Sequence, residues 1–61
     1  MMTHHILRRL MTMQTNARRA EREIDAGAPL TPEWDRVLRN VRTAASEIDE
    51  AVAFIKENRP Q

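Results

Sequence analysis

Apolar residues recur along most of this chain at alternating intervals of four and three residues. This spacing places the apolar side chains on one side of a helix and is typical of helices that pack against other helices. One interruption, near the single glycine, divides the pattern into two seams of equal period. The first seam consists of Ile6, Leu10, Met13, Ala17, Ala20 and Ile24, and the second of Trp34, Leu38, Val41, Ala45, Ile48, Val52 and Ile55.

The residues between the two seams carry signals that end one helix and begin another. Gly27 suits the left-handed conformation that commonly terminates a helix, and Pro29 prevents the helix from resuming. Thr31 is a good N-cap residue, and Pro32 fits the first helical position. The sequence therefore predicts one all-α domain over residues 1–61, with helices at about 4–26 and 32–58 and a turn at 27–31.

A connection this short between long helices predicts an antiparallel hairpin. The seams then match in a register that places Ile6 opposite Val52 and Ala17 opposite Val41. In the same register, oppositely charged groups are expected to lie side by side, which favours the antiparallel orientation. Arg8 and Arg9 are predicted near Glu47, Asp49 and Glu50, and Glu21, Glu23 and Asp25 near Arg36 and Arg39.

The second helix has an additional apolar stripe beside its seam, formed by Val37, Ala44 and Ala51 with Phe54 close by. On that side the first helix is expected to present only Arg9, Asn16 and Glu23, which leave the stripe uncovered. An uncovered stripe indicates a second packing surface, used when two hairpins dimerise into a four-helix bundle or when the hairpin packs on a larger protein. The alternative is that the alanines are simply good helix formers.

Chain length supports association with another molecule. A 61-residue chain buries only a thin core, and small domains of this kind usually need a disulfide, a metal or a partner chain. Cysteine is absent, and the only histidines, His4 and His5, are adjacent and so point about 100° apart on a helix. We therefore expect no metal and no cofactor, and we expect the missing stabilisation to come from a partner.

Catalytic signatures are missing from the sequence. Ser46 has no neighbouring histidine, and no glycine-rich loop is present to hold a phosphate. The leading hypothesis is a non-enzymatic protein–protein interaction module that self-associates or docks on a larger protein as a subunit, adaptor or inhibitor.

Arginine on the first helix suggests a second hypothesis, a small dimeric RNA- or DNA-binding regulator. Arg8, Arg18, Arg19 and Arg22 are predicted on its outer side, where a phosphate backbone would meet them. A net charge of +1 and the lack of aromatic residues on that side argue against it. A membrane partner is not expected, although the basic, apolar residues 2–13 leave a membrane-surface role as a weaker alternative. No signal-peptide pattern is recognisable, so we expect a cytoplasmic protein.

Overall fold

The structure, a computed structural model, describes the backbone of residues 2–58 and the side chains of residues 4–58. It contains two α-helices, α1 (Met2–Gly27) and α2 (Pro32–Asn58), and no strand within this range. The helices contact each other along an elongated body that measures 47 × 14 × 13 Å. The predicted all-α hairpin is therefore confirmed, with α1 beginning slightly earlier than the sequence suggests.

Thr31 starts α2 in the way that its sequence position predicts. Its side-chain Oγ1 accepts a hydrogen bond from the Trp34 backbone N–H at 3.3 Å, and its carbonyl accepts the first helical bond from the Asp35 N–H at 3.0 Å. An N-cap hydroxyl of this kind satisfies one of the amide groups that a helix leaves unpaired at its start.

The end of α1 differs from the prediction at Gly27. No glycine in the described range has a positive φ, so Gly27 does not adopt the left-handed conformation. The helical hydrogen bonding instead continues one residue further, with the Ala28 N–H donating to the Ile24 carbonyl at 2.9 Å. Pro29 accounts for the ending, because proline disfavours helical geometry in the residue before it.

Packing between the helices rotates α1 away from its predicted orientation. Leu7 is only 6% exposed, whereas the predicted seam residues Ile6 and Met13 are 51% and 46% exposed. The second predicted row of α1, which contains Leu10, Ala17 and Ile24, is half-buried. On α2 the seam is where the sequence placed it except at its first member, Trp34, which is 42% exposed. Ala45 and Val52 are buried, and their seam neighbours Leu38, Val41, Ile48 and Ile55 are half-buried.

Two polar contacts across the seam explain this rotation. Gln14 Nε2 donates to Asp49 Oδ1 at 2.8 Å, and Arg42 Nε donates to Glu21 Oε2 at 3.0 Å. Gln14 and Glu21 therefore occupy the border of the seam, where an apolar pattern would not place them. The contacts also lie about one helical turn further along α2 than the predicted register implies.

Candidate interaction surface

The seam between the helices has one polar edge. Besides the two contacts above, Arg18 binds both Asp49 and Glu21, and Arg42 approaches Asp25 with an N–O distance of 3.6 Å. We call this set the polar edge. It consists of Gln14, Arg18, Glu21 and Asp25 on α1 and of Arg42 and Asp49 on α2.

These ion pairs differ from the predicted ones. Asp49 is bound by Arg18, not by Arg8 or Arg9, and Glu21 and Asp25 are bound by Arg42. Arg39 pairs within its own helix, with Asp35 at 3.0 Å. The shift follows from the rotation of α1, which moves Arg18 to the border of the seam. The ion pairs that join the two helices, Arg18 with Asp49 and Arg42 with Glu21 and Asp25, form in the predicted antiparallel orientation.

Hydrogen bonding stabilises the charged forms of the carboxylates on the polar edge. The pKa of Glu21 is lowered mainly by the hydrogen bond from Arg18 and then by that from Arg42. The pKa of Asp49 is lowered mainly by the hydrogen bond from Gln14 and then by that from Arg18. The same contacts raise the pKa of the Arg18 guanidinium. This edge is thus a connected network that links the two helices.

The opposite edge of the seam is apolar on both helices. One residue of helix turns a side chain by about 100°, so Met13 lies on the side of the seam opposite to its neighbour Gln14. On α2, Ala44 directly precedes the buried Ala45 and therefore lies about 100° from it around the helix. Because the helices are antiparallel, a step back along either chain leads to the same side of the hairpin.

We call this side the apolar face. It has two outer rows, each at seven-residue spacing, and two half-buried inner rows beside the seam. The outer rows are Ile6, Met13 and Ala20 on α1 and Val37, Ala44 and Ala51 on α2. The inner rows are Leu10, Ala17 and Ile24 on α1 and Val41, Ile48 and Ile55 on α2. No charged residue interrupts these rows.

The four predicted interface residues do not all belong to the apolar face. Val37, 39% exposed, forms one outer row with the exposed Ala44 and the half-buried Ala51. Phe54 is 65% exposed but lies about 60° around α2 from Ala51, away from the seam. It therefore borders the face and does not extend it.

The sequence pattern predicted the wrong α1 residues for this face. The rotation of α1 places Ile6, Met13 and Ala20 beside the α2 stripe, where Arg9, Asn16 and Glu23 were expected. The one available signal was the row containing Leu7, Gln14 and Glu21, whose two polar members match Asp49 and Arg42 across the seam. The apolar face therefore includes residues of both helices, whereas the prediction placed it on α2 alone.

The turn extends the apolar character to one end of the hairpin. Leu30 is 104% exposed, and Trp34, which continues an inner row of α2, is 42% exposed. Trp34 and Ile24 line the same pocket of 140 Å³ beside the turn. We call Pro29, Leu30 and Trp34 the apolar tip.

The predicted arginine stripe is only partly available. Arg18 is engaged with Asp49 and Glu21, so it does not lie free on the outer side of α1. Arg8 contacts the His4 ring at 3.3 Å, and Arg8, Arg19 and Arg22 are exposed without a carboxylate partner in the described range. The structure therefore separates Arg18 from the other three.

The described residues also lack the features of a metal site and of a membrane-spanning helix. They contain no cluster of three or more histidine, cysteine or acidic side chains placed to hold a metal ion. Neither described helix has an apolar stretch long enough to span a bilayer.

Comparison with protein-family models, curated proteins and solved structures finds no match to this chain.

Proposed function

We propose that this protein is a non-enzymatic protein–protein interaction module whose apolar face binds a second copy of the chain, giving a four-helix bundle. The observation that carries the proposal is the continuous apolar face, to which both helices contribute. Ile6, Met13 and Val37 keep 39% to 51% of their surface exposed in the single hairpin. Contiguous apolar surface of this kind marks an interaction site.

The surface area of the single hairpin is larger than its mass predicts. A compact monomer of 7.1 kDa is expected to expose roughly 4,100 Å², whereas the hairpin exposes 5178 Å². Only Leu7, Ala45 and Val52 are buried apolar residues in the described range. The excess is of the same order as the roughly 800 Å² that each partner buries in a standard interface.

A dimer as compact as an average protein of its mass would bury an area typical of homodimers. Two separate hairpins expose about 10,400 Å², and a compact protein of twice the mass exposes roughly 6,800 Å². The difference of about 3,600 Å² falls within the range buried by obligate homodimers. A second copy also supplies a surface of matching length and equal apolar character, which supports self-association over docking on a larger protein.

Matched pairs of substitutions test this proposal. Met13 and Met11 are similarly exposed, at 46% and 41%, but only Met13 lies on the apolar face. A buried, unpaired carboxylate is costly, so Met13→Glu is expected to dissociate the dimer and Met11→Glu to leave it intact. On α2, the exposed residues Ala44 and Ala53 offer the same contrast, with Ala44→Glu disruptive and Ala53→Glu neutral. Sedimentation velocity measures each mass.

Circular dichroism of the same variants separates dissociation from unfolding. Equal masses in solution for the Met13→Glu and Met11→Glu variants would contradict the proposed face. A wild-type monomer that forms a stable complex only with a different protein would replace self-association by docking.

A second candidate function is nucleic-acid binding through α1. It is supported by Arg8, Arg19 and Arg22, which are exposed and lack carboxylate partners in the described range. Dimerisation doubles the number of these arginines in the assembly. Binding of duplex or hairpin RNA or DNA that weakens steeply with salt, and that Arg19→Gln with Arg22→Gln reduces, would support it. Failure to bind at low salt would exclude it.

A further inference from the structure

We propose that the polar edge regulates self-association by selecting between two orientations of α1 about its own axis. This regulation rests on the proposed function and adds how its binding face is controlled. In the observed orientation, Ile6 and Met13 lie on the apolar face. In the second orientation they turn into the seam, and the face loses the residues that α1 contributes.

Two rows of α1 compete for the seam. Both border the half-buried row of Leu10, Ala17 and Ile24, from opposite sides, so either can join that row in the contact with α2. A rotation of α1 by about 50° exchanges them. One competing row consists of Leu7, Gln14 and Glu21, and the other of Ile6, Met13 and Ala20.

Apolar burial alone favours the row of Ile6 in the seam. All three of its members are apolar, whereas Gln14 and Glu21 are polar members of the row of Leu7. In the structure, however, Leu7 is 6% exposed and Met13 is 46% exposed. The row with less apolar surface therefore lies in the seam, and an interaction other than apolar burial holds it there.

The polar contacts that hold this orientation all end on two residues of α2. Among the described residues, each side-chain hydrogen bond or ion pair between the helices involves Arg42 or Asp49. Asp49 accepts hydrogen bonds from Gln14 and Arg18. Arg42 donates to Glu21 at 3.0 Å. Rotation of α1 into the second orientation carries these α1 side chains away from α2 and breaks the contacts.

Self-association and the orientation of α1 are linked as a result. In the observed orientation a second copy covers the row of Ile6, and in the second orientation α2 of the same chain covers it. These two ways of burying Ile6 and Met13 exclude each other, so binding of a second copy favours the observed orientation. A change that weakens the polar edge favours the second orientation and thereby weakens dimerisation.

The double variant Arg42→Ala with Asp49→Ala tests this link. It removes every polar contact between the helices in the described range, and alanine is the strongest helix former, so both helices are expected to persist. Gln14 and Glu21 then lose their partners across the seam. The dimer dissociation constant, measured by sedimentation velocity, is expected to rise about tenfold or more.

The control is a second double variant, Asp35→Ala with Arg39→Ala. These residues form an exposed ion pair of 3.0 Å that lies within α2 and does not join the helices. Its removal is expected to keep the dimer dissociation constant within about threefold of the wild-type value. Equal increases of the constant in the two double variants would overturn the proposal.

Exposure of the Met13 side chain distinguishes rotation of α1 from simple dissociation. Relaxation of isotope-labelled methionine methyl groups by a water-soluble paramagnetic probe measures it. Met11 is the reference, because Met13 and Met11 are 46% and 41% exposed in the single hairpin. In the monomeric Arg42→Ala, Asp49→Ala variant, Met13 is expected to be protected relative to Met11, since it lies in the seam. Equal relaxation of the two methyl groups in that monomer would overturn the proposal.

The wild-type protein separates failure of this proposal from failure of self-association. A dimeric wild type whose dissociation constant is unchanged in the Arg42→Ala, Asp49→Ala variant would leave self-association standing and overturn its regulation. A monomeric wild type would overturn both. Circular dichroism verifies that the double variant is helical. If it is not, Asp49→Ala alone, which keeps the contacts of Arg42, takes its place with the same two measurements.

Discussion

At the scale of single residues, the polar edge shows what an apolar pattern cannot predict. Ile6 and Leu7 are adjacent, equally apolar and about 100° apart on α1, so the pattern favoured the row with more apolar members. In the structure the row of Leu7 lies at the seam instead, because the hydrogen bonds of Gln14 to Asp49 and of Glu21 to Arg42 make a polar seam border favourable. Predicting this requires knowing which side chains meet across the hairpin.

The polar edge predicts loss of stability in acid. The pKa values of Glu21 and Asp49 are lowered in the folded state, chiefly by hydrogen bonds from Arg18 and Gln14 respectively. Their contribution to the free energy of unfolding is therefore fully present above the ordinary carboxyl pKa values near 4 and is lost as pH falls through the lowered pKa values. Urea unfolding at fixed protein concentration, followed from pH 6 downward, measures the effect.

The double variant Glu21→Gln with Asp49→Asn is the control for this experiment. It removes both titrating groups, so its stability is expected to change less than that of the wild type as the pH falls below about 4. Identical pH profiles for the two proteins would contradict a stabilising polar edge.

At the scale of the helices, the sequence largely predicted that two helices form and where each begins and ends. It did not predict the orientation of α1 about its own axis. Thr31 and Pro32 define the start of α2 through local chemistry, as the Trp34 N–H bond to Thr31 shows. The direction in which α1 points its apolar side depends on long-range contacts. As a result, Val37, Ala44 and Ala51 were identified as one row beside the seam, whereas the contribution of Ile6 and Met13 to the same face was missed.

Ala45 provides a test of the seam between the helices. It is 1% exposed, so Ala45→Leu is expected to overpack the contact and reduce the free energy of unfolding by about 1–3 kcal/mol. Ala53→Leu places the same side chain at an exposed position of the same helix and is expected to change it by no more than about 0.5 kcal/mol. Chemical denaturation compares the two, and equal losses would contradict the position assigned to Ala45.

At the scale of the whole molecule, the hairpin is long, thin and short of buried surface. Its radius of gyration of 14.2 Å exceeds the roughly 10.5 Å expected for a compact domain of this length. Chain length and composition already predicted that a partner is needed. The structure adds where that partner is expected to bind, because one edge of the seam is closed by ion pairs and the other is apolar on both helices.

The mass of the wild-type protein in solution tests self-association most directly. Sedimentation equilibrium at micromolar concentration is expected to give about 14 kDa, twice the chain mass of 7.1 kDa, with unfolding that becomes harder as the protein concentration rises. A species of 7.1 kDa that unfolds cooperatively and independently of concentration would contradict the account.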